Sequence, residues 1–179
     1  MQTNTDRWNP VSKGLHWLVA VLLLCAWGAV ELHEFYERGD PMRSWWTALH
    51  FSLGLTILLL VTLRLYWRAR HPRPAVTGAA WQQKFSSLMH GILYLILLAM
   101  PLSGFSMRQL AGRDTEFFGL FALPRLLPEN MDVAKQLAFV HKELLWNSLL
   151  VLLAVHIAAA LWHHFVVRDN TLTRMFPQR

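Results

Sequence analysis

Histidine is the residue type in this chain best placed to do chemistry, and nine are present. An imidazole can ligate a metal, carry a proton or bond a carbonyl. His33 and His71 read as loop residues. His16, His50, His90, His141, His156, His163 and His164 fall on segments that read as apolar helices. An ionisable group inside a membrane helix is costly, and its presence there usually marks a function.

Depth sorts these histidines. At 1.5 Å rise per residue, His16 lies ~9 Å in from a helix start at Pro10, and His90 lies in the first turns of the third helix on the same side. His50 lies ~14 Å from a helix start at Pro41. His141 is about ten residues into a long fourth helix, and His156 is ~22 Å further along it. Two levels result: an outer one with His50 and His141, and an inner one with His16, His90 and His156. At ~100° per residue, His141 and His156 end about 60° apart around their helix axis, so one face presents both. A separation of ~22 Å is too great for one metal ion, whose imidazole ligands sit ~2 Å away. It suits two haems, each clamped between the fourth helix and a neighbour, as bundle cores hold cofactors. The alternative for any single position is a histidine that bonds a backbone carbonyl and holds nothing. Two matched levels favour the cofactor. Gly54, one turn after His50 on the same face, would give a macrocycle room. Gly28, Gly91 and Gly104 would let a macrocycle or a neighbouring helix approach.

The elements that position these residues are four apolar runs. They predict an all-α, integral-membrane four-helix bundle with haems in its core, as one domain over 1–179. Helices are expected at about 10–31, 42–66, 84–107 and 132–168, each near the ~20 residues that cross a bilayer. Of the chain's residues, 54% are hydrophobic and only 16% charged, where soluble domains carry about a quarter charged. Asn9-Pro10 and Asp40-Pro41 read as N-caps followed by proline at the first helical position. Nothing breaks the segment from Asp132 to His141, so the fourth helix is expected to run unbroken and to project beyond the bilayer. Phe117 to Pro124 reads as an interfacial or capping segment, most simply a short helix lying on the bundle. The first run reads as a retained helix and not a cleaved signal. The one cysteine, Cys25, lies in an apolar run, and no C-x-x-C-H exists for covalent haem attachment.

The formal net charge is +6, and its placement argues for membrane orientation over nucleic-acid binding. Arg7 and Lys13, then Arg64, Arg68, Arg70, Arg73 and Lys84, then Arg168, Arg174 and Arg179 lie on one side, with only Asp6 and Asp169 against them. That side is expected to be cytoplasmic and to hold both termini. Trp45, Trp46, Trp67 and Trp146 lie at run ends, as interfacial aromatics do.

His16-Trp17, His50-x-x-x-Gly54, His141, His156-x6-His163-His164 and the tail Asp169-Asn170-Thr171-Leu172-x-Arg174-Met175 resemble the bacterial cytochrome b561 family, and more narrowly its superoxide:ubiquinone oxidoreductases. The resemblance spans nearly the whole chain. It implies a bacterial inner-membrane cytochrome with two bis-histidine b haems. His50 and His141 would hold the iron of the periplasmic haem, and His16 and His156 that of the cytoplasmic haem. His90 is left without a role, although depth alone allows it in place of His16.

The resemblance further implies that periplasmic superoxide donates electrons and that ubiquinone accepts them near the inner haem. Arg43, Arg108, Arg113, Lys135 and Lys142 are candidates to attract the superoxide anion. Several have acidic neighbours, so a solvated mixed-charge face is the plainer reading of any one. His163, ~10 Å beyond His156 and near the same face, is the candidate quinone contact; the alternative is an interfacial histidine touching water or headgroups. The second functional class is a non-catalytic cytochrome b subunit that links a redox partner, a dehydrogenase or hydrogenase, to the quinone pool.

Overall fold

The computed structural model describes residues 8–72, 74 and 78–176. Arg7, Arg73, Arg179 and Asp6, which entered the charge argument, lie outside them. Four helices are long and apolar enough to cross a membrane: α1 (Pro10–Glu34), α2 (Pro41–Arg70), α3 (Ala80–Leu110) and α4 (Met131–Val167). Their mean hydropathies are 1.9, 1.9, 1.8 and 2.1. Their large outward side chains, such as Leu24, Leu59, Leu95 and Val151, are exposed and would face lipid.

The helix starts follow from local chemistry. Asn9 accepts a hydrogen bond from the Ser12 amide (2.8 Å), and Asp40 accepts one from Met42 (2.7 Å). Each precedes a proline whose missing N–H costs nothing in the first turn. All four helices differ by a few residues from the expected bounds. One consequence is that Arg64, Arg68 and Arg70 lie on α2 and Lys84 on α3, not in a connecting loop. His33 is likewise in the last turn of α1, where Nδ1 bonds the Val30 carbonyl. His71 caps α2 and stacks on Trp67 at 3.8 Å.

α1 packs along α2, α2 along α3 and α3 along α4. α1 and α4 meet through side chains, including Trp27 against Trp146 at 6.4 Å. The core is a small apolar cluster with Val19 and Ala26 from α1, Leu53, Ile57 and Val61 from α2, Leu93, Ile96 and Leu97 from α3 and Leu149 from α4.

One expectation is refined and one corrected. The fourth helix runs unbroken over Met131–Val167, as expected, but it widens into π-helical turns at Val140–Leu145 and His163–Val167. No proline or glycine marks either site, so the sequence carried no breaker signal. The segment after α3 is not a short helix. It is a hairpin, β1 (Thr115–Phe117) antiparallel to β2 (Phe121–Leu123), with Phe117 opposite Phe121. Its turn places both Phe118 (φ 49°) and Gly119 (φ 69°) in the left-handed region, as a type I′ turn requires. A phenylalanine rarely adopts that conformation. Here the Phe118 amide donates to Ser52 Oγ at 2.8 Å, and the Ser52 side chain is fully buried. The hairpin is thereby docked on α2, two residues from His50.

Replacing Ser52 with alanine leaves the Phe118 amide without that acceptor. The expected cost is about 1–3 kcal/mol, read as a lowered unfolding temperature in detergent with the helical circular dichroism unchanged.

Candidate cofactor site of the bundle core

The outer level is built by three helices. His50 projects from α2, and its Nδ1–H donates to the Ala26 carbonyl of α1 at 2.9 Å. His141 projects from the first wide turn of α4, and its Nδ1–H donates to the Met100 carbonyl of α3 at 2.9 Å. The Ser103 hydroxyl lies 3.0 Å from the same nitrogen and itself donates to Met100. Each ring is therefore held by one nitrogen, which fixes the tautomer and leaves Nε2 with a lone pair for a metal. The two ring centroids are 6.4 Å apart.

Gly104 is required by this arrangement. A Cβ at that position would stand 3.0 Å from His141 Cε1. The wide turn of α4 matters too. It takes more residues per revolution than an α turn, which works against the ~60° offset expected for an unbroken α-helix between His141 and His156.

The inner level gathers His16 from α1, His90 from α3 and His156 from α4. The ring of His156 lies 6.2 Å from that of His16 and 5.6 Å from that of His90. His90 donates from Nδ1 to the Ser86 carbonyl at 2.6 Å. Nearby on α2, Arg64 and Arg68 lie over the ring of Tyr94, at 5.5 and 5.6 Å. Sequence reasoning did not single out Tyr94. Its i, i+4 spacing from His90 was the available signal.

The donor set fits haem. Two imidazoles on opposite faces of one iron, each bonded at ~2 Å, hold their ring centroids roughly 6 Å apart. His50–His141 and His16–His156 have that spacing. Trp46 Nε1, one turn before His50, is buried without a hydrogen-bond partner among the described residues, and a haem propionate is an acceptor of the kind it requires. A Cβ on Gly54 would touch only Pro101, at 4.0 Å, and one on Gly28 or Gly91 would meet nothing within 4 Å.

The other candidates are dispersed. His163 is in the second wide turn of α4, with Nδ1 2.6 Å from Asp169 Oδ2. His164 packs edge-on against its neighbour Phe165, with ring centroids 4.7 Å apart. Arg43 is taken up by the His33 and Tyr36 carbonyls and by Glu34. Arg108 donates to the Asp114 carbonyl at 2.7 Å and lies 4.6 Å over the Phe51 ring. Arg113, Lys135 and Lys142 form no ion pair among the described residues.

Four membrane-crossing helices that bring imidazoles together at two heights define a membrane cytochrome of the electron-transfer type. The chain belongs to the prokaryotic cytochrome b561 family, whose model matches residues 7–178. It is 34% identical over 175 residues to the "Probable superoxide oxidase CybB" of Yersinia pestis, covering 97% of each chain. It is also 30% identical over 177 residues to "Cytochrome b561 homolog 1" of Escherichia coli (strain K12), covering 97% of this chain and 99% of that one. "Cytochrome b561 homolog 2" of the same strain is 30% identical over 179 residues, covering 97% of this chain and 93% of that one. The family binds b-type haem, and its members are oxidoreductase-type electron carriers. This is accordingly a multi-pass protein of the bacterial inner membrane.

Gly104→Val should displace the His141 ring. Haem bound per polypeptide is expected to fall while the helical content stays constant. Pyridine haemochrome assay beside circular dichroism measures both.

Proposed function

We propose that this chain is a di-haem b cytochrome that oxidises superoxide to oxygen at its outer face and reduces ubiquinone to ubiquinol nearer the cytoplasm. The observation that carries the reading is the pair of imidazole–imidazole spacings, 6.4 and 6.2 Å, at two heights in one bundle. The likeness to a probable superoxide oxidase over 97% of the chain supports the choice of donor.

In this reading His50 and His141 ligate the outer haem iron, and His16 and His156 the inner. The haems supply one-electron carriage across the membrane. His16 is preferred to His90 because the family resemblance assigns an inner ligand to the first helix; the ring separations from His156, 6.2 Å for His16 and 5.6 Å for His90, are both near the roughly 6 Å that two imidazoles on one iron would show. An iron held by two histidines would carry electrons rather than bind oxygen. The basic end of α2, the start of α3 and the C-terminal tail support the reading that both termini are cytoplasmic.

The balance is simple. Two superoxide anions give two oxygen molecules and two electrons; one ubiquinone takes these with two protons to become ubiquinol. His50 and His141 keep fixed orientations through their bonds to Ala26 and Met100, so little reorganisation accompanies electron passage. Arg113, Lys135 and Lys142, which form no ion pair among the described residues, are the outer-side cations to which an arriving anion would be drawn. His163 contacts the quinone at the inner side. The alternative, a non-catalytic cytochrome b subunit passing electrons from a redox protein, calls for co-purification with such a partner.

Detergent-purified protein should carry two haems per polypeptide, and His141→Ala should carry one. In rapid mixing with superoxide and a ubiquinone analogue, the haems should cycle and quinol should accumulate. Haem reduction by superoxide should slow several-fold as salt rises from 0.01 to 0.15 M, where screening shortens from roughly 30 to 8 Å. A flat salt response would remove the steering residues from the reading, and absence of haem reduction by superoxide would remove the donor.

A further inference from the structure

The inner end of the bundle is closed by the chain folding back on itself. α4 ends in the wide turn His163–Val167, and Arg168 (φ 58°) reverses the backbone. This returns Asp169 to α4: its amide donates to the His163 carbonyl at 3.2 Å, and its carboxylate accepts from His163 Nδ1–H at 2.6 Å. The Thr171 amide donates to the other carboxylate oxygen at 2.8 Å. The tail then crosses to α1. There Trp17 Nε1 donates to the Met175 carbonyl at 2.9 Å, and Phe176 stacks on Trp17 at 5.3 Å. Trp17 in turn lies 5.4 Å from the ring of His16.

We infer that Asp169 is the positioning residue of a proton-donating pair, in which His163 hands a proton from Nε2 to the quinone carbonyl oxygen as the quinone is reduced. The inference rests on the reading that a quinone is reduced at the inner level. The bond to Asp169 occupies Nδ1 and turns the opposite nitrogen, Nε2, outward from the pair. With a proton on each nitrogen, His163 gives one N–H to Asp169 and presents the other at Nε2. Asp169 itself stays ionised. Burial pushes its carboxyl up, but the bonds from Thr171 and His163 outweigh this and hold it below the ordinary aspartate range. Both side chains keep partial exposure, 26% for His163 and 23% for Asp169, so a proton from water can replace the one given up. His163 follows His156 by ~10 Å along α4, which sets the donor close to the inner level without contact with its rings.

The step balances. For each electron gained by the quinone, one Nε2–H bond breaks, one quinol O–H bond forms, and the neutral imidazole is reprotonated from the cytoplasmic side. Other charged groups on this side are Arg168 beside Asp169 in the chain, Lys13 on α1, which bonds the Phe176 carbonyl, Arg174 in the tail, Arg64, Arg68 and Arg70 on α2 and Lys84 on α3. Among the described residues on this side, Asp169 is the carboxylate bonded to His163.

The test starts from dithionite-reduced holoprotein and follows haem reoxidation by a soluble ubiquinone analogue, with no superoxide present. Asp169→Asn should slow reoxidation on the order of tenfold or more and move the alkaline limb of its pH profile to lower pH. Both haem spectra should stay unchanged. Asp169→Glu, which keeps the carboxylate, should restore most of the rate. Thr171→Pro removes the tail's amide bond to Asp169 and keeps the charge; a loss there equal to that of Asp169→Asn would mean that tail structure alone matters, and would overturn the inference. So would an unchanged rate and pH profile in Asp169→Asn. If the unaltered protein is not reoxidised by quinone at all, the functional reading itself fails, which is a different result.

Discussion

Hydrocarbon offers no partner to a polar group, and every imidazole placed in this bundle must find its partners within the protein. The structure meets that demand in the same way three times. His50, His90 and His141 each give Nδ1–H to a helix carbonyl, of Ala26, Ser86 and Met100. For His50 and His141 the carbonyl belongs to a neighbouring helix, so satisfying the ring also sets how the helices face one another. The same bond that makes the residue tolerable in the membrane fixes its tautomer and aims its second nitrogen. Stability and site geometry are one requirement here.

That requirement is met by departures from regular helix. His141 occurs where α4 widens, and Gly104 is the residue that leaves space for its ring. The second wide turn of α4 begins at His163. Wide turns sacrifice regular i to i+4 bonding, and they recur where side chains must be re-aimed. Both in this chain carry a histidine with a partner outside its own turn: Met100 for His141 and Asp169 for His163.

The two ends of the bundle are finished differently. The outer end is covered by a hairpin docked through Ser52, and the buried Gln109 bonds the Pro124 carbonyl and the Leu126 amide to bring the chain back to α4. The inner end is covered by the returning tail, anchored on Trp17. Basic residues dominate the inner end, whereas the outer end mixes signs.

Much of this was legible in one dimension. Apolar runs fixed the number of crossings because each must approach the thickness of a bilayer. Prolines after Asn9 and Asp40 marked helix starts because the first-turn amide is dispensable. A constant rise per residue turned sequence position into depth, and so His50 and His141 separated from His16, His90 and His156. What the sequence left undecided depends on contacts between distant segments. Whether His16 or His90 stands at the longer distance from His156 is a matter of how α1 and α3 pack, which no spacing along either helix encodes. The wide turns have no local signal, since π-helical turns form from ordinary helix residues under tertiary demand. The hairpin after α3 was hidden because Phe118 adopts a left-handed conformation only with the Ser52 hydroxyl beneath it. Asp169 was read as one of two acids among bases, and the reversal at Arg168 brings it onto His163. Depth is a property of the chain, whereas pairing is a property of the packed bundle.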